Sequence, residues 1–248
     1  MPLNLRSWEV RLGIILVASS VAIYTVKYLI LGDPENTYNY IFNALGFLPI
    51  NVLLVTLILN QLLSIRAKRE RLEKLNMVIG TFFSEAGTWL LTFISDRDPD
   101  LPRLRQELVV TEAWTPEKFS AVQESLRGHC CTVAPETADL EELCRYLKGR
   151  RDFLLRLLEN PVLMEHESFT NLLRAVFHLT EELERRGDFA GLPESDLRHL
   201  ARDVERVYGL LIREWLAYME YLQKNYPYLF SLEMRSNPFD ETASPIVH

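Results

Sequence analysis

Apolar residues gather at the start of the chain in two unbroken runs and afterwards recur at helical spacing. Residues 12–31 carry a single charge, Lys27, and residues 41–65 carry none. A helix rising 1.5 Å per residue needs about 20 residues to cross the ~30 Å hydrocarbon layer, so each run predicts a transmembrane span. Gly32, Asp33 and Pro34 between them are turn formers, and Tyr24, Tyr28, Tyr38 and Tyr40 gather near the same end in the manner of an interfacial aromatic belt. The pattern predicts a tight helical hairpin.

The second run passes without a break into the basic segment 66–74. Beyond it Ile65, Leu72, Ile79, Ala86 and Phe93 lie seven apart, with Leu75, Phe82 and Trp89 three further on, an a/d seam that Lys68 interrupts beside the headgroups. This seam suits one helix of an intramolecular bundle or a coiled coil between protomers. Gly80, Ser84 and Gly87 form a stripe of small residues against which another backbone can pack. The helix is expected to stop near residues 95–99.

Punctuation further on predicts more helices and no strands. Residues 101–110 form a short candidate, and Thr115 before Pro116 and Glu117 opens a helix to about residue 127. Others are expected over 137–160, over 165–186 with Gly187 as the stop, and over 193–225 before Pro227. The aromatic stretch 226–239 reads as a short helix folded onto the bundle or docked on the membrane surface. Residues 240–248 read as a disordered tail. The fold class is therefore all-α: a two-span transmembrane hairpin (1–65) whose second helix extends into a cytoplasmic helical bundle (66–239).

Charge places this architecture in the cell. The chain has 27 basic and 34 acidic residues, and residues 1–65 hold three of each, so the net charge of -7 belongs to the remainder. That balance argues against a nucleic-acid surface. Arg6 and Arg11 precede the first span, Arg66, Lys68, Arg69, Arg71 and Lys74 follow the second, and the loop between has no basic residue. The positive-inside rule then puts both termini in the cytoplasm and the hairpin in the inner (plasma) membrane. The first run extends past the length of a signal-peptide core and reads as an anchor. Trp8 sits at interfacial depth, and the five basic residues suit anionic lipid.

Within the second span Asn43, Asn51, Asn60 and Gln61 are costly in hydrocarbon unless partnered, which points to helix contacts within or between copies. At about 100° per residue Asn43, Asn51 and Asn60 do not share one stripe, and Pro49 is a kink candidate. Cys130, Cys131 and Cys144 lack the spacing of a zinc motif or a disulfide framework and read as reduced thiols. His129 beside Cys130 and Cys131 does not form a nucleophile-base pair, because adjacent helical positions diverge.

One group suggests metal chemistry. His178 and Glu182 are four apart and so share a helix face, and His166 lies between Glu165 and Glu167 at the start of the same helix. The paired Glu-x-x-His pattern of di-iron bundles is absent, and a hydrogen-bonded histidine at a packed face accounts equally for His178. No phosphate-binding loop, Gly-x-Ser-x-Gly or His-Glu-x-x-His occurs. No cofactor is implied. The expected function is an integral membrane protein whose cytoplasmic helices serve interaction, assembly or signalling. Its partners would be lipids, a second copy of itself and another protein. The alternatives are a subunit of an oligomeric ion channel or transporter, and a metal-binding helical-bundle enzyme.

Overall fold

A computed structural model describes residues 8–31, 34–127, 132–133, 136–164 and 166–246, and all regular structure among them is helical. The order is α1 (Trp8–Leu31), α2 (Pro34–Phe82), a π-helical turn (Phe83–Gly87), α3 (Thr88–Ser95), α4 (Leu101–Leu108), α5 (Pro116–Arg127) and α6 (Thr137–Gly149). Then come α7 (Arg151–Leu158), α8 (Pro161–Met164), α9 (Glu167–Arg186), α10 (Glu194–Asn225) and α11 (Pro227–Arg235). The chain divides into two compact units, Met1–Ala67 and Lys68–His248. Gly32 and Asp33 of the expected turn, Arg6, His129, Cys130, Cys131, Glu165 and the last two residues of the tail lie outside the described residues, as do the side chains of Trp8 and Arg11.

The first unit holds α1 and the apolar part of α2. Its described apolar side chains face outward: Leu29, Ile30, Phe42 and Leu53 are all exposed, Phe42 at 80%. One helical segment, Tyr38–Ser95, is long and apolar enough to cross a bilayer, and none of its most apolar window is buried. The described apolar stretch of α1, Ile14–Ile30, is shorter. Pro49 lies inside α2 without ending it. Near the ends of the two helices the Tyr24 and Tyr40 rings are 6.0 Å apart, and Lys27 Nζ lies 4.7 Å over the Tyr40 ring.

The second unit is built around α10, which packs on α9, α5, α3 and α11. Its core runs from Leu75 through the π turn and α3 into α9 and α10. Leu72 is 43% exposed and Leu75, one turn on, is 4% exposed. From Leu75 onward the heptad seam is thus spent inside this unit: Ile79, Phe82, Ala86 and Phe93 are buried, and Trp89 packs against the core. That leaves no seam there for a coiled coil with a second protomer.

Adjacent rings are buried where α2 passes into the π turn. Consecutive residues on an α-helix point about 100° apart, yet Phe82 and Phe83 are both fully buried. Phe82 meets Phe83 and Phe169 edge-on with centroids 5.4 Å apart, and Phe83 stacks on Tyr218 at 5.7 Å and 13°. These are favourable aromatic geometries. Gly80 lets Tyr218 in, since a Cβ there would lie 2.5 Å from the Tyr218 hydroxyl oxygen, while a Cβ at Gly87 would meet the Phe82 and Phe83 rings. Ser84 is exposed. The small stripe therefore receives aromatic side chains of its own unit, not another backbone.

Several boundaries differ from expectation for local reasons. The helix expected over 137–160 is divided at Arg150 (φ -105°, ψ 3°) just after Gly149, and the Arg150 guanidinium reaches Glu85 at 3.2 Å. Glu136 caps α6, in a reciprocal box with Asp139. The helix expected from residue 165 begins at Glu167, with His166 as its cap. Gly187 adopts φ 69°, the left-handed conformation that ends α9. The C-terminal stretch forms α11 on α10, with Phe230 buried and Asn237 Nδ2 donating to Leu108 O at 3.1 Å. Among the described residues of the C-terminal stretch, Glu241 pairs with Arg105 and Arg235 donates a hydrogen bond to Pro245 O.

Gly80→Ala should lower the unfolding free energy by about 1–2 kcal/mol, because overpacking against Tyr218 outweighs the gain in helix propensity. The loss should be smaller in a Tyr218→Phe background. Urea unfolding of the four species checks both.

Candidate functional site

Helices α9 and α10 are joined by residues 187–193 and lie antiparallel, as their cross-pairs show: residue 178 meets 203, 182 meets 199, and 186 meets 196. Their apolar faces, including Leu172, Val176, Leu179 and Leu183 on α9 with Leu200, Val204 and Val207 on α10, are buried. Beside that seal the helices bring together two acids and two histidines. His178 and Glu182 come from α9; His199 and Asp203 repeat the same four-residue spacing on α10.

The four distances from the histidines to the acids run from 3.5 to 4.0 Å. His199 Nε2 lies 3.5 Å from Asp203 Oδ2 and 3.6 Å from Glu182 Oε2. His178 Nε2 lies 3.6 Å from Asp203 Oδ2 and 4.0 Å from Glu182 Oε1. Ligand atoms of Glu182, His199 and Asp203 are all within 4.8 Å of one another. The Asp203 side chain is 4% exposed and the two histidines 46% and 51%. Asp203 Oδ2 is buried without a hydrogen bond, while Oδ1 lies 3.5 Å from Arg206 Nη1. Leaving a buried carboxylate oxygen unbonded is costly.

Arg186 fixes one side of the group. It donates from Nη1 to Glu182 Oε2 at 2.7 Å and to Glu182 O at 2.6 Å. It also grips Asp196 through Nε at 2.6 Å and Nη2 at 2.8 Å, a bidentate pair. The guanidinium holds the Glu182 and Asp196 carboxyls below the usual carboxylate range, and its own pKa is pushed up by Asp196 and then Glu182.

Of the three metal candidates read from the sequence, the structure brings His178 and Glu182 into this group and leaves His166 out. His166 Nδ1 accepts from Phe169 N at 3.4 Å as the α9 cap. Nearby, burial pushes the Glu214 carboxyl above its ordinary value, partly offset by the Ser168 hydroxyl, His166 and Arg213. His199 and Asp203 went unnoticed in the sequence although their spacing repeats that of His178 and Glu182. Cys144 is half-buried, and burial pushes its thiol up, away from thiolate reactivity.

The remaining candidates lie at the surface. Arg66, Lys68, Arg69, Arg71 and Lys74 are all exposed, with Arg69 Nε 3.1 Å from Glu73 Oε1. Asn43, Asn51, Asn60 and Gln61 are exposed along the apolar part of α2.

Two family models match the chain: "Uncharacterized protein MJ1433, C-terminal helical domain" over residues 71–235 and "MJ1433, N-terminal helical domain" over residues 4–63. A relative from Methanocaldococcus jannaschii, itself named Uncharacterized protein MJ1433, is 44% identical over 238 residues, covering 96% of each chain. No solved structure matches.

Two substitutions test the electrostatics. Arg186→Gln should lower stability modestly, since it removes the charge-assisted hydrogen bonds to Glu182 and Asp196, and chemical unfolding measures the loss. For Glu214 the folded pKa is raised, so its contribution is fully present below the ordinary 4.5 and is lost as pH rises through the folded value. Glu214→Gln should therefore raise the melting temperature at neutral pH, with the difference vanishing below 4.5.

Proposed function

The chain belongs to the MJ1433 family of helical proteins, and on that premise we propose that it is an integral membrane protein whose helical second unit serves interaction, assembly or signalling. The observation that carries this reading is the contrast in exposure. Apolar side chains of the first unit face outward along both helices, whereas those of the second are sealed into a core. Soluble monomers rarely expose a contiguous apolar patch above a few hundred Å². Lipid chains are the solvent that makes such a surface stable.

The proposed topology has spans over about 12–31 and 41–65, with both termini in the cytoplasm of the inner (plasma) membrane. α1 runs for 24 residues, about 36 Å, and the exposed basic residues 66–74 begin where the apolar surface of α2 ends. The charge asymmetry sets the orientation, and the same residues attract anionic headgroups at about 1 kcal/mol each. Asn43, Asn51, Asn60 and Gln61, outward-facing in an apolar surface, favour self-association, because amide pairing across helices is their available compensation in lipid. Their scatter around α2 supports helix contacts over the lining of a continuous aqueous path. The absence of a reaction motif in the sequence supports interaction over catalysis.

Alkaline carbonate washing of a membrane fraction tests the reading: the protein should stay with the bilayer. The Leu54→Arg, Leu57→Arg double variant should be displaced, since each arginine costs about 2.5–3.5 kcal/mol at the centre of a span. A reporter fused after His248 should be active on the cytoplasmic side only. A wild-type chain recovered in the wash, or an external reporter, refutes the proposal.

A further inference from the structure

The separations between the histidines and acids of α9 and α10 are too long for hydrogen bonds and match the spacing of ligands around a shared cation. Hydrogen-bonded nitrogen and oxygen atoms sit about 2.7–3.2 Å apart. Tetrahedral ligands at bond lengths of 2.0–2.1 Å stand about 3.3 Å from one another. Glu182, His199 and Asp203 each offer a ligand atom within 4.8 Å of the other two, and His178 Nε2 lies 3.6 Å from the same Asp203 Oδ2 while facing the other Glu182 oxygen at 4.0 Å. We propose that Glu182, His199 and Asp203, with His178 drawn in as the fourth ligand, bind one divalent transition-metal ion of the zinc class, bridging α9 to α10.

An independent feature points to the same ligand. Asp203 Oδ2 has no hydrogen bond although the residue is 3% exposed, and it lies between the Nε2 atoms of both histidines. A cation there neutralises the buried carboxylate and fills its open coordination position. Two imidazole nitrogens with two carboxylates form a borderline donor set that suits zinc and its neighbours better than magnesium or calcium, which prefer oxygen alone. Arg186, bonded to Glu182 Oε2 and Asp196, holds the fourth ligand from outside. With His178 as the fourth ligand the set would fill a tetrahedral shell, the pattern of a structural site that ties two helices together. The half-exposed histidines leave a path from solvent. None of this depends on the membrane reading.

The test uses the full chain in detergent micelles, stripped with chelator and titrated with zinc by calorimetry and with cobalt(II) as a spectroscopic probe. One equivalent of zinc should bind, visible d–d bands of tetrahedral cobalt should appear, and zinc should raise the melting temperature. His178→Ala, His199→Ala and Asp203→Asn should each weaken binding by about tenfold or more. His166→Ala should bind as the parent does, as should a variant with Cys130, Cys131 and Cys144 all replaced by serine. Because both ligand histidines are half-exposed, their variants should keep the parent helical content by circular dichroism, so they decide the matter even if Asp203→Asn fails to fold. No saturable binding by the parent overturns the proposal, as does unchanged affinity in the two histidine variants or loss of binding in the serine variant.

Discussion

The fold of the second unit depends on removing one continuous set of rings from water: Phe82 and Phe83, Phe169 from α9 and Tyr218 from α10. A helix enclosed by neighbours on more than one side buries adjacent residues, as α3 does with Leu90 and Leu91 and with Phe93 and Ile94, and at the π turn Phe82 and Phe83 are buried together in the same way. The end of α2 thereby becomes an internal strut of the bundle. α9 and α10 pack against this strut through Phe169 and Tyr218.

Helix existence was legible because it is signalled by local chemistry. Pro116 after Thr115, the glycine at 187, and the prolines at 193 and 227 each act on their own backbone, and the helices begin or end beside them. The division at Arg150 was harder to see, because nothing at 150 forbids a helix and the break is set by packing on either side. The heptad seam was legible as an apolar face but ambiguous in its partner, since periodicity describes a surface and not what covers it. For Gly80 and Gly87 the room left by a missing Cβ is a fact of sequence, whereas its occupant is a fact of tertiary structure.

The polar group at α9 and α10 shows the same division. Each half, His178 with Glu182 and His199 with Asp203, is a one-face pair on its own helix. Joining them requires the register between two helices, which the length of residues 187–193 and the grip of Arg186 on Asp196 determine together. His166 misled because it is near His178 in sequence, yet twelve residues along a helix amount to about 18 Å of rise.

The π turn also bears on how this chain tolerates change in length. Removing one residue between positions 83 and 87 would let the backbone relax into a plain α-helix whose four residues turn through about the same angle as the five of the wider turn, so the later side chains of α3 would keep their facing. Leu90, Leu91 and Ile94 would stay in the core. A single-residue gap in an alignment of relatives is therefore tolerated at this turn, whereas elsewhere in α3 it would rotate the buried face by about 100°.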